Sequence, residues 1–104
     1  MGFKSRPDIK NMENFILVGS QSVPASAWVD STTFSGYPYV ADITIPGVTN
    51  FWNVDITFRQ QDADILGGAF TTSEPSGTVH IYAKNKPTDA ITIAKCECYH
   101  SGDD

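Results

Sequence analysis

Every run of β-branched and aromatic residues in this chain is short and is closed by Pro, Gly or a cluster of polar turn formers. Phe15–Val18 (FILV) stops at Gly19, and Tyr39–Ile45 (YVADITI) stops at Pro46-Gly47. Asn53–Arg59 (NVDITFR) gives way to the polar stretch Gln60–Asp64, and Thr78–Ala83 (TVHIYA) lies between SEPSG and NKPTD. Residues 90–99 (AITIAKCECY) close the series. With a breaker about every ten residues, long helices are excluded, and β-branched and aromatic side chains favour a pleated, half-buried surface. Short antiparallel strands joined by turns are the architecture that remains.

The alternation within the runs supports this. Tyr39, Ala41, Ile43 and Ile45 share one face of a strand, and Val40, Asp42 and Thr44 share the other. Val54, Ile56 and Phe58 oppose Asn53, Asp55, Thr57 and Arg59, and Val79, Ile81 and Ala83 oppose Thr78, His80 and Tyr82. A period of two marks strands with one face in a core. Leu66–Thr72 reads as a weaker strand opened by Gly67-Gly68. Ser20–Ser26 reads as a loop routed by Pro24, and Trp28-Val29 as a short strand or a cover over the core edge. No amphipathic helix is expected. The predicted fold is all-β: a small antiparallel, jelly-roll-like β-sandwich of about six to eight strands. Residues 1–14 are expected to form an N-terminal arm, 15–100 the sandwich and 101–104 an acidic tail.

The chain has 104 residues, enough for one modest core. Hydrophobic residues are 40% and charged residues 18%. This balance suits a compact domain whose surface is either fairly neutral or covered in an oligomer, for instance at the outward Val40. The net charge of −5 disfavours a nucleic-acid partner. Only Lys4, Arg6 and Lys10 cluster among the basic residues, all within the arm. No apolar run approaches the roughly 20 residues of a membrane helix. Neither a secretory leader nor an Asn-linked glycosylation sequon is read, so synthesis in a cytoplasm is expected.

Few residues invite chemistry. Cys96, Cys98 and His100 (CECYH) lie two apart, a spacing that lines side chains along one side of a strand. They are weak metal-ligand candidates, because zinc takes about four ligands and no second Cys pair is present. Buried free thiols are the simpler reading. A Cys96–Cys98 disulfide does not fit an extended strand, whose i and i+2 Cα atoms are about 6.6–7 Å apart. The parity of Ile91 and Ile93 opposes that of the cysteines, and a β-bulge near Ala94–Lys95 would put all four on one face. Asp62 and Asp64 make a D-x-D that lacks the further oxygens a calcium loop uses. A solvated turn is the simpler reading there. His80 and Tyr82, with the aromatics Trp28, Tyr37, Tyr39 and Trp52, are candidate binding residues, since sugar rings stack on exposed aromatics. The alternative for each is ordinary core or cross-strand packing. Motifs of nucleophilic, metal-dependent or nucleotide-dependent enzymes are not found. A non-enzyme without a cofactor is expected.

The run S-V-P-A-S-A-W-V, then Y-P-Y-V-A-D-I-T-I-P-G-V-T, V-D-I-T-F and V-H-I-Y-A-K-N-K-P-T-D-A-I-T-I, resembles a small β-sandwich module. Such modules stand at the C-termini of tail-fibre, baseplate and head-fibre proteins of phages and prophages of Gram-positive bacteria. The resemblance covers roughly residues 15–99. Its markers are Trp28, Tyr37-Pro38-Tyr39, Ile45-Pro46-Gly47-Val48 and the segment from Ile81 to Ile93. It implies a virion part, often a homotrimer, displayed as a surface decoration, head fibre or tail-fibre and baseplate component. Residues 1–14 would then dock on other virion proteins, and a host cell-surface glycan is an implied contact. The long upstream fibre is not in this sequence, and C-E-C-Y-H departs from the pattern. A carbohydrate-binding module using exposed loop aromatics is the alternative.

Overall fold

The computed structural model describes the backbone at residues 11–12 and the chain from residue 15 to residue 100. These residues form two antiparallel sheets, an all-β sandwich. Strand β9 (Ile91–His100) is central to the first sheet. It pairs from Ile93 to His100 with β6 (Trp52–Phe58). It also pairs with two successive short strands. β2 (Phe15–Val18) meets residues 96–99, and β3 (Gln21–Val23) meets residues 91–93. The second sheet has the spatial order β4 (Val29–Asp30), β5 (Tyr39–Thr44), β8 (Thr78–Ala83), β7 (Ala69–Ser73).

The expected arm and tail lie largely outside the described residues. One part does not: Asn11–Met12 forms a two-residue strand, β1, paired with Ile16 and Phe15. Ser20–Ser26 is also more ordered than a loop. It contains β3 and then a 3-10 turn at Ala25–Ala27, which carries Trp28 into the core at 2% exposure.

The alternation read from sequence becomes the core. Ala41 from β5 and Val79, Ile81 and Ala83 from β8 face Ile16, Val23, Ile91, Ile93, Cys96 and Cys98 of the first sheet, all buried. Each fully buried Ile or Val is worth about 1.5–3 kcal/mol of burial. The pairing of β9 with β6 shifts register between Ile93 and Lys95. This irregularity, at the place where parity demanded a bulge, turns Ile91, Ile93, Cys96 and Cys98 to the same side.

Two further elements depart from expectation. Gln60–Leu66 is an α-helix (α1), not a polar turn, and the strand placed at Leu66–Thr72 is instead Ala69–Ser73. The helix ends where Gly67 adopts φ 70° and its N–H reaches the Ala63 carbonyl at 3.0 Å. That left-handed position is one glycine fills without a steric penalty. Gly67 is therefore a helix stop rather than a strand opener. Asp62, expected in a solvated turn, is buried. Its Oδ2 accepts the Arg59 Nε–H at 3.0 Å and the Thr92 backbone N–H at 2.9 Å.

Candidate functional site

The outward row of β8 and the segment before β5 build the densest polar and aromatic surface. β5 and β7 flank β8, so Asp42 and Thr72 stand directly opposite His80, and Val40 and Phe70 opposite Tyr82. The segment Ser31–Pro38 supplies Phe34 and Tyr37. Phe70 stacks on Tyr82 at 5.3 Å between centroids, and Phe34 meets both edge-on at 4.9 and 4.7 Å. Tyr37 meets Phe70 edge-on at 4.8 Å, and the Lys84 ammonium lies 5.7 Å from the Tyr37 ring centre. This cluster buries Tyr82 although its strand position faces outward. It acts as a small second core outside the sheet, with edge and offset contacts that favour such rings.

Beside it, the His80 ring lies between two carboxylates. Nδ1 is 2.6 Å from Asp42 Oδ1, and Nε2 is 3.3 Å from Glu74 Oε2. The hydrogen bond to Asp42 raises the imidazole above its ordinary value, partial burial opposes this, and Glu74 adds to the rise.

The six candidate binding residues do not converge. His80 and Tyr82 are neighbours, with ring centres 6.2 Å apart, and Tyr37 joins them through Phe70. Tyr39 points inward and packs on the core. Trp28 is in the core, and Trp52 is buried at the end of the first sheet, edge-on to His100 at 5.3 Å. Trp28, Trp52 and Tyr82 thus correct the expectation of exposed rings, because none offers a free face to a sugar. The sequence reading missed Asp42, Glu74, Phe34 and Phe70. The pairing of β5, β7 and β8 brings Asp42, Glu74 and Phe70 to His80 and Tyr82, and the segment before β5 folds Phe34 over them.

Cys96 and Cys98 are free thiols at 0% exposure. Burial pushes both up to about 11, with Cys98 adding to the rise at Cys96. They belong to the core and not to a ligand set with His100. Among the described residues no group of three or more His, Cys, Asp or Glu side chains is arranged to hold a metal ion.

The third feature is the seam where the two sheets meet. β6 and β7 each pair with one strand among the described residues, and their free edges lie side by side. Side-chain hydroxyls bridge one end. Thr71 Oγ1 donates to the Val54 carbonyl at 2.7 Å, and Ser73 Oγ to the Trp52 carbonyl at 3.0 Å. Along the seam a groove of about 290 Å³ is lined by the apolar Val54, Ile56, Phe58, Ala69, Phe70 and Ile81 together with the polar Asp55 and Thr71. Val54, Ile56 and Phe58 face the core side of β6 but are only half-buried.

The fold and these surfaces define a small two-sheet β-sandwich. No family model, curated protein or solved structure matches the chain.

Proposed function

We propose that the chain is a non-enzymatic structural component of a phage virion, a β-sandwich that works by assembling with neighbours. The observation that carries this reading is the half-covered apolar row Val54, Ile56 and Phe58 along the seam. An apolar row left partly open at a sheet edge gains stability when a neighbouring chain covers it. The resemblance of residues 15–99 to phage fibre and baseplate modules supplies the setting. In this reading the protein is a homotrimer on the particle surface, as decoration, head fibre or tail-fibre and baseplate part. Residues 1–14 attach it to other virion proteins, and host-surface glycan is a secondary contact.

The test is immunogold labelling of density-banded particles from the strain that encodes the chain. Label at regular positions on intact particles is the expected result. Label confined to the soluble fraction would overturn the assignment. Light scattering of the purified protein should give a trimer mass; a monomer would remove the trimer from the reading.

A further inference from the structure

The His80 ring is partly buried between two exposed carboxylates, Asp42 and Glu74. A neutral imidazole carries one N–H, so it can donate to one acceptor only. Here each ring nitrogen faces a carboxylate oxygen, at 2.6 Å on the Asp42 side and 3.3 Å on the Glu74 side. The first is a hydrogen bond and the second an ion-pair contact; ionised carboxylates only accept, so both are attractive only when the ring is an imidazolium. The three residues come from different places. Asp42 is on β5, His80 on β8, and Glu74 opens the turn between β7 and β8. The strand facing His80 from β7 presents Thr72, which carries no charge. Among the described residues, the charged groups within ion-pair reach of the ring are therefore Asp42 and Glu74.

The turn is itself tied into the end of the sandwich. Gly77 N–H donates to the Glu74 carbonyl at 3.2 Å, and Glu74 N–H to the Thr78 carbonyl at 2.9 Å. The Gly77 carbonyl accepts the Ile45 N–H at 2.8 Å. A side-chain tie at Glu74 thus bears on both the turn and the end of β5.

We propose that His80 is a proton-operated clasp that holds the β7–β8 turn to β5 when charged and releases Glu74 when neutral. On loss of the proton the shorter Nδ1–H bond to Asp42 persists. The bare Nε2 lone pair then faces the Glu74 carboxylate and repels it. The turn is closed at acidic pH and loosens as pH rises through the His80 titration. This rests on the described geometry and is independent of the virion assignment.

The experiment is a nitrogen-15 NMR titration of the intact protein, with His80 assigned against His80→Gln. In the native protein the ring should titrate above 6.5, the ordinary histidine value. The Gly77 and Thr78 amide signals should move with the same midpoint. Protection of the Gly77 amide from exchange, corrected for intrinsic rate, should fall about two- to fivefold across that midpoint. Asp42→Asn and Glu74→Gln should each lower the midpoint, and Glu74→Gln and His80→Gln should each abolish the turn's response. Turn signals that stay flat across the His80 midpoint, or a midpoint unchanged in Glu74→Gln, would overturn the proposal.

Discussion

The buried Asp62 carboxylate accepts the backbone N–H of Thr92, thirty residues on, at 2.9 Å. This bond ties helix α1 to the start of the central strand β9. Arg59, three residues before Asp62, completes the arrangement through its Nε. Replacing Asp62 with Ala should cost about 1–3 kcal/mol, because the Thr92 N–H loses its acceptor in a part-buried setting. Urea denaturation of the two proteins measures the difference.

Asp62 also has an acid signature. The Thr92 bond holds its carboxyl below the ordinary value; burial opposes this and Arg59 reinforces it. A carboxyl lowered in the folded state contributes stability above its unfolded pKa, about 3.9, and loses it as pH falls through the folded value. The stability advantage of the native protein over Asp62→Asn should therefore be full near neutrality and shrink below about pH 3.9. Denaturation midpoints measured from pH 7 down to pH 2.5 will show whether it does.

Cys96 and Cys98 should be inert while the protein is folded. They are fully buried and their thiols are raised to about 11, so little reactive thiolate exists at pH 8. Iodoacetamide at that pH should leave the native mass unchanged and add two labels in denaturant. Rapid labelling of either thiol in the native state would contradict the buried placement.

Trp28 separates packing from hydrogen bonding. It is buried at 2% exposure, and its indole Nε1 has no hydrogen-bond partner among the described residues. Trp28→Phe removes volume without breaking a hydrogen bond and should cost about 1–2 kcal/mol, whereas Trp28→Ala should cost about 3–5 kcal/mol. Thermal melts of the pair should keep that order. Equal losses would mean that the indole N–H, and not ring volume, matters at this site.

Two glycines test backbone strain against space. Gly36 and Gly77 have nearly the same φ, 86° and 85°. A Cβ at Gly36 would meet no atom of the described residues within 4 Å, but one at Gly77 would lie 2.9 Å from the Ile45 carbonyl oxygen. Gly36→Ala should cost about 1 kcal/mol from conformation alone. Gly77→Ala should cost clearly more, because the Ile45 backbone must move as well, and the difference should appear in the denaturation midpoints.

The amino-acid sequence by itself determined which residues turn inward. Side-chain period in a strand is two, and Tyr39–Ile45, Asn53–Arg59 and Thr78–Ala83 keep it without exception, so their faces follow from spacing alone. The parity conflict between Ile91, Ile93 and Cys96, Cys98 even located the irregularity of β9. Helix α1 was harder to read because it has only seven residues, too few for an apolar stripe to declare itself. Its markers were an acidic residue in the first turn, Asp62, and a stop at Gly67. What only the tertiary structure decided is every relationship between distant segments. Asp62 is buried because Thr92 arrives beside it, and His80 has two carboxylates because β5 and the β7–β8 turn flank it. Tyr82 is covered because Phe34, Tyr37 and Phe70 close over an outward position. Strand order and register set these meetings, and they depend on the summed packing of the whole core, which no local pattern carries.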